Sequence, residues 1–272
     1  MLDLTLEESA VLGRPSTAAG ALLAYLANRA GWEKPTLEGS FAGIPSCEIT
    51  QFTEGSGLYV GSDYTDAASD HPAIHQAEAL LKTWPEQIEE AAFLWARIYP
   101  IQLVRLENDR GVHGYGCTCG GVGGAPFEVY STVYDPLGFL EGIVHEQAHW
   151  KLHTLGVHLE SWPQSFLGND FADLYESPIR KDIKRPMGAV VHAHYSYLHV
   201  IEIALRRFEF GVNDFPNEPA YVDGLRTNLG RMIEGNASLA DLAQPGPLGR
   251  AFFENIRAWS FEVIRRAQQI LE

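Results

Sequence analysis

The feature that most constrains this chain is a segment whose two ends and interior all favour one helix. Asp135 followed by Pro136 is a typical helix start, because aspartate caps free backbone N–H groups and proline fits the first helical position. Gly156 is a typical helix stop. Between them apolar residues recur at helical spacing, at Leu137, Leu140, Ile143, Val144, Ala148 and Leu152. The sequence therefore predicts a well-defined helix over this segment.

This predicted helix contains the pentapeptide HEQAH, from His145 to His149. Two histidines four residues apart lie on the same helical face, so both imidazoles can reach a single ion. Glu146 lies about 100° further round the helix, where it can act on a water or substrate held by that ion. The pattern predicts a catalytic metal without specifying which metal it is.

The third ligand decides the class of metal site, because two histidines are not a complete set. The metzincin extension requires glycine and histidine at the positions occupied by Leu152 and Leu155, so that subclass is excluded. A zinc metallopeptidase with Glu176 as its third ligand is the alternative. Pro178 follows Glu176 closely and helices tend to end before proline, so Glu176 is poorly placed to project from a helix interior.

A second group of histidines follows Pro186, and includes His192, His194 and His199. All three fall on a predicted helix, and either His192 or His194 is expected to be the third ligand. His153 extends the HEQAH face by one more turn. One helix face cannot surround an ion from three successive turns, since the outer pair is about 12 Å apart. We therefore expect His153 to pack beside the site rather than to bind its ion.

Three blocks, taken in order, resemble one family. The blocks are HEQAHWKL (145–152), LYESPIRKDIKRP (174–186) and GAVVHAHYSYL (188–198). They are similar to the HExxH-containing peptide-modification proteins, some of which are iron and 2-oxoglutarate-dependent peptide β-hydroxylases in ribosomal natural-product pathways. The resemblance covers the middle of the chain and does not include residues 1–130.

The resemblance implies an oxygenase that uses Fe(II), 2-oxoglutarate and dioxygen. It would hydroxylate the β-carbon of a residue in a ribosomally made peptide, and a precursor peptide that carries a leader segment is one such substrate. Guanidinium groups bind carboxylates bidentately, so two arginines of the second block are expected to hold 2-oxoglutarate. The implied site consists of metal ligands His145, His149 and His192, catalytic residues Glu146 and Tyr195, and co-substrate residues Arg180 and Arg185.

The sequence does not decide which residues make up the set of metal ligands. Non-haem iron oxygenases commonly use two histidines and one carboxylate, but Glu146 lies off the face that His145 and His149 share. A three-histidine set is one possibility, and a set that includes Glu146 or a downstream carboxylate is the other. His194 stands where relatives have a small residue, which leaves the choice between His192 and His194 open as well.

The remaining patterns predict an α+β, predominantly helical fold, with a zincin-like HExxH helix, a small antiparallel sheet and a C-terminal helical bundle. Residues 1–272 are expected to form a single domain, in which a mixed α/β half (1–135) faces the substrate and a helical half (136–272) holds the metal site. Predicted strands are Ile101–Leu106 and Phe127–Tyr134, and predicted long helices are Gly188–Phe210, Ala220–Glu234 and Leu248–Leu271.

Charge and composition exclude several partners. A net charge of -15 argues against binding to nucleic acid or to an anionic membrane, which attract clusters of lysine and arginine. No apolar run is long enough to span a bilayer, and the acidic opening residues do not resemble a secretory signal. Three cysteines, Cys47, Cys117 and Cys119, suit a reducing compartment. We therefore predict a cytoplasmic protein, whose oligomeric state the sequence does not indicate.

Overall fold

A computed structural model describes residues 4–29, 31, 33–50, 64–66, 68–103, 128–133, 135–212 and 218–272. These residues form an α+β fold that is predominantly helical, as the sequence predicts. In chain order the helices are α1 Leu6–Val11, α2 Thr17–Arg29, α3 Pro72–Leu81, α4 Pro85–Leu94, α5 Pro136–Thr154, α6 Met187–Glu209, α7 Glu218–Leu242 and α8 Pro247–Leu271.

The largest sheet is mixed, which corrects the predicted antiparallel sheet. The strands are β1 Ser40–Phe41, β2 Ile44–Pro45, β3 Glu48–Ile49, β4 Tyr64–Asp66, β5 Arg97–Leu103, β6 Glu128–Thr132, β7 Leu174–Glu176 and β8 Lys184–Pro186. Strand β5 pairs in parallel with β3 and β6 and antiparallel with β4. A parallel pair needs a long crossover, and the segment between β5 and β6 is long enough to provide one. Only the two-stranded sheets β1–β2 and β7–β8 are wholly antiparallel in the described part of the chain.

Helix α5 has the ends that the sequence predicts. The Asp135 side chain accepts a hydrogen bond of 2.7 Å from the backbone N–H of Gly138, and Pro136 is the first helical residue. At the other end Gly156 adopts a φ of 75°, and the next N–H, that of Val157, bonds the Leu152 carbonyl oxygen at 2.9 Å. This is a glycine-terminated Schellman turn, which reverses the chain sharply. The helix packs against α6, α3 and β6, so it lies at the centre of the fold.

Helices α6, α7 and α8 form the predicted C-terminal bundle and pack on one another through a shared hydrophobic core. Helix α7 ends at Leu242, eight residues beyond its predicted end at Glu234. Among the described residues, no helix combines the length and the apolar character needed to cross a bilayer. The bundle brings α6 alongside α5, and this packing positions the candidate site.

The start of α6 depends on a glycine. A Cβ atom at Gly188 would collide with the carbonyl oxygen of His158 and lie 2.6 Å from the Trp162 ring. Helix α6 can therefore approach the segment after α5 closely only because residue 188 has no side chain.

We expect Gly188→Ala to lower the free energy of unfolding by about 1–3 kcal/mol, because the added methyl group overpacks a buried contact. Urea denaturation measures the change. The matched control is Gly230→Ala on α7, where an added Cβ would have no neighbour within 4 Å. That variant should gain up to about 1 kcal/mol from helix propensity. Equal stabilities for the two variants would contradict the proposed close approach.

Candidate metal centre

Helix α5 is buried except along one line of side chains. Within Pro136–Thr154 the residues that are only partly buried are Glu141, His145, His149 and His153, each four positions after the last. We call these four residues the polar stripe of α5. Side chains at this spacing follow one face of a helix, so the stripe is the accessible side of an otherwise buried element. The HEQAH histidines are its two central members.

His145 and His149 direct the same type of nitrogen at each other. Their Nε2 atoms are 3.0 Å apart, and an oxygen of the Glu146 carboxylate lies 3.8 Å from the Nε2 of His145. The ligand atoms of these three residues all lie within 4.8 Å of one another. Burial lowers the pKa of His145 to about 4 and holds that of His149 well below its usual value. Both imidazoles are therefore neutral near pH 7, which is the form that binds a metal.

His192 reaches this cluster from α6, through the other nitrogen of His149. The two Nδ1 atoms are 2.7 Å apart, and the Nε2 of His192 donates a 2.8 Å hydrogen bond to the carbonyl oxygen of Val157. A carbonyl only accepts, so Nε2 of His192 holds a proton and its neutral ring presents a lone pair at Nδ1. His149 then donates its Nδ1–H to His192, which leaves the Nε2 of His149 as the nitrogen available to an ion. Hydrogen bonding of this kind orients many metal-binding histidines.

The structure separates the two histidines that the sequence left as alternatives. His192 is fully buried against His149. His194, two residues later, packs on α7 instead, where its ring leaves no room for a Cβ atom at Gly235. Of the pair, only His192 contacts the HEQAH residues, although its predicted role as a metal ligand stays a prediction.

The predicted catalytic Tyr195 has a different set of contacts. Its side chain is fully buried, and its hydroxyl donates a 2.8 Å hydrogen bond to the carbonyl oxygen of Leu12. That bond ties α6 to the end of α1. The tyrosine that approaches the centre is Tyr197, whose ring meets the His145 ring edge-on at 5.9 Å between centroids. The contacts of Tyr195 thus indicate a packing role.

The two predicted co-substrate arginines lie in different surroundings. Arg180 is exposed, and its guanidinium forms a bidentate pair with Asp182 at 2.9 and 2.8 Å. Arg185 is half-buried in β8, and its positive charge contributes to the lowered pKa of both His149 and His192. Arg185 is therefore the one of the two whose charge acts on the candidate centre.

Glu176, the third ligand of the alternative zinc site, is exposed on β7. It lines a surface cavity of about 730 Å³ together with Lys181, Lys184 and Glu234. It is not part of the cluster that His145 and its neighbours form. The described structure therefore does not bring Glu176 to the HEQAH histidines.

Sequence patterns missed three groups near the centre. The Val157 carbonyl is a backbone atom, which no side-chain motif reveals. Tyr197 lies beside His145, and the Arg231 guanidinium from α7 lies 5.6 Å from the centre of the Tyr197 ring. Their proximity depends on how α6 and α7 pack, so no local signal could have found them.

Comparison of the chain with protein-family models and with curated proteins finds no match. The geometry of the centre and the chemistry of its side chains are therefore the basis for a functional proposal.

Proposed function

We propose that the chain is an Fe(II)- and 2-oxoglutarate-dependent oxygenase that hydroxylates the β-carbon of a residue in a ribosomally made peptide. The observation that carries the proposal is the composition of the cluster, which has two imidazole nitrogens and one carboxylate within 4.8 Å of one another. Two histidines and one carboxylate are the protein ligands typical of non-haem Fe(II) oxygenases. In this proposal Glu146 completes the set with His145 and His149.

The donor set fits this metal and this chemistry. Imidazole and carboxylate both suit Fe(II), and three protein ligands leave positions for a bidentate keto acid and for dioxygen. Bound Fe(II) would supply the reaction in which 2-oxoglutarate and dioxygen give succinate, carbon dioxide and one hydroxyl group on the peptide. The partial exposure of His145, whose side chain is 28% accessible, agrees with a centre that a substrate can reach.

The remaining residues position the centre. His192, itself fixed by the Val157 carbonyl, holds the ring of His149 with Nε2 directed toward His145. Arg185 provides the positive charge for the distal carboxylate of 2-oxoglutarate, since guanidinium groups bind carboxylates bidentately. The pairing of Arg185 with Tyr175 across the β7–β8 hairpin holds its backbone in place.

The peptide substrate rests on the resemblance of the three sequence blocks. The substrate-facing role of residues 1–135 lies outside that resemblance and stays a prediction. The cytoplasmic location, which was inferred from composition, also stays a prediction. The alternative, a zinc peptidase with Glu176 as a ligand, would need a carboxylate that is exposed on β7 and lines a surface cavity in which no HEQAH residue takes part. The position of Glu176 therefore favours the oxygenase.

Anaerobic reconstitution tests the proposal. Metal-free protein is loaded with Fe(II), 2-oxoglutarate is added, and the visible spectrum is searched for the charge-transfer band of an iron-bound keto acid. Succinate is then measured after admission of air. We expect a band and iron-dependent succinate formation. Tight zinc binding with peptide cleavage, and neither band nor succinate, would contradict the oxygenase.

A matched pair of arginine variants tests the co-substrate contact. Arg185→Gln should weaken 2-oxoglutarate binding by about 10- to 100-fold, because a hydrogen bond to a charged group contributes about 1.5–3 kcal/mol. Arg180→Gln should leave binding unchanged, because that guanidinium is exposed and paired with Asp182. Titration of the charge-transfer band with 2-oxoglutarate measures both. The reverse order of effects would assign the contact to Arg180.

A further inference from the structure

A second pair of histidines lies at the solvent end of the polar stripe of α5, outside the HEQAH cluster. His153 is the last member of the stripe, and His158 is an exposed residue just beyond the end of the helix. Their Nδ1 atoms are 2.8 Å apart, and their ring centroids are 5.0 Å apart. The proposed function does not use either residue.

The chain reversal after α5 brings the pair together. Gly156 has a positive φ, and the Val157 N–H returns to the Leu152 carbonyl, so the following residue folds back over the last helical turn. The N–H of His158 donates a 2.7 Å hydrogen bond to the Ser161 carbonyl oxygen. The backbone at His158 is therefore held by hydrogen bonds, although its imidazole faces solvent.

The spacing of the two nitrogens suits a shared ion. Imidazole nitrogens bind Zn(II) at about 2.0–2.1 Å, so two of them on one ion are about 2.9 Å apart at a right angle and about 3.3 Å apart in a tetrahedron. The observed 2.8 Å is about 0.1 Å shorter than the right-angle value and about 0.5 Å shorter than the tetrahedral value. The Nε2 atoms of His145 and His149 converge in the same way, at 3.0 Å. The exposure of His158 gives an ion direct access from solvent.

We propose that His153 and His158 form a second metal site, which binds a divalent transition-metal ion such as Zn(II) or Co(II) through the two Nδ1 atoms. Imidazole donors select this class of ion over Mg²⁺ and Ca²⁺, which prefer oxygen. Water completes the coordination, so this site binds an ion more weakly than a four-ligand structural site. The site requires neither iron nor 2-oxoglutarate and goes beyond the proposed oxygenase.

The proposed second site lies at one end of a continuous row of imidazole rings. The His153 ring lies 5.0 Å from the His192 ring, which in turn lies 5.0 Å from the His149 ring. His145 follows at 4.7 Å. The row therefore joins the His153–His158 pair to the HEQAH cluster, and an ion held by the pair would lie at the His158 end of that row.

Equilibrium dialysis of the metal-free chain against Co(II) counts the sites. We expect two ions in the unaltered chain and one in His158→Ala. The double variant His145→Ala, His149→Ala should also bind one ion, because it retains the His153–His158 pair. His75→Ala is the matched control, since His75 is an exposed histidine on α3, and it should bind two. Circular dichroism checks that each variant folds.

The outcomes separate this inference from the proposed function. If His158→Ala binds as many ions as the unaltered chain, or the double variant binds none, the second site does not exist. If His158→Ala binds no ion while the double variant binds one, the second site stands and the HEQAH centre fails. Nitrogen NMR on addition of Zn(II) identifies the donor atoms. Shifts at Nδ1 of His153 and His158 support the site, and unchanged resonances indicate only a hydrogen bond between them.

Discussion

His149→Ala is expected to abolish stoichiometric Fe(II) binding at the HEQAH centre and to reduce 2-oxoglutarate-dependent succinate formation by more than about 100-fold. Loss of a group that merely orients a ligand already costs about 10- to 100-fold, and loss of the ligand itself should exceed that. His149 is the residue that contacts both neighbouring imidazoles, at 3.0 Å to His145 and 2.7 Å to His192. Metal analysis after reconstitution and a succinate assay measure the two effects.

The His192→Ala variant is the comparison needed to interpret the effects of His149→Ala. If His192 orients His149, as the nitrogen contacts indicate, Fe(II) affinity should fall by about 10- to 100-fold while some activity survives. If His192 is itself a ligand, as the sequence resemblance implies, His192→Ala should lose as much Fe(II) binding and succinate formation as His149→Ala. The His75→Ala variant, which removes an exposed histidine of α3 outside the HEQAH cluster, serves as the folding control. Full activity in His149→Ala would eliminate the HEQAH centre as the site of the reaction.

Lys151→Met is expected to destabilise the fold by about 3–5 kcal/mol, because it leaves a buried carboxylate without its partner. The Nζ atom of Lys151 lies 2.7 Å from the Glu90 carboxylate, and both side chains are fully inaccessible to solvent. Burial lowers the pKa of Lys151 and raises that of Glu90, so each charge depends on the other. Urea denaturation followed by circular dichroism measures the loss.

Two further variants test the cause of that loss. The double variant Lys151→Met, Glu90→Leu should recover most of the stability, because a buried ion pair can be replaced by apolar residues at little cost. Lys181→Ala removes one partner of an exposed pair with Glu234 and should cost less than about 1 kcal/mol. A loss in Lys151→Met no larger than that in Lys181→Ala would contradict a desolvated Glu90–Lys151 pair.

The helices and strands are most predictable from the sequence where their signals are local. The cap at Asp135 and the glycine at 156 are separately readable signals, and the structure places the ends of α5 accordingly. The ends of α6 and α8 agree with their predicted limits within about one residue, which is the usual uncertainty of a helix end. The orientation of the strands was not predictable in this way, because β5 pairs with residues distant in the sequence.

The buried charge of Lys151 illustrates what local patterns miss. It lies in the same helix as HEQAH and looks like an ordinary helical lysine in the sequence. Its partner, Glu90, belongs to α4, and strands β5 and β6 lie between the two helices in the sequence. The contact between the two side chains therefore depends on the tertiary structure. Tyr195 is a similar case, since its hydroxyl bonds the carbonyl of Leu12 at the far end of the chain.

The sequence by itself determined that α5 is a helix and that His145 and His149 share one of its faces, because helical geometry relates residues four apart without any help from the remainder of the chain. Only the tertiary structure decided which nitrogens meet. The contact of His192 with His149, and the carbonyl of Val157 that fixes His192, both require α6 to pack against α5 and its terminal turn. Such contacts join residues remote in sequence, and their geometry follows from packing between elements.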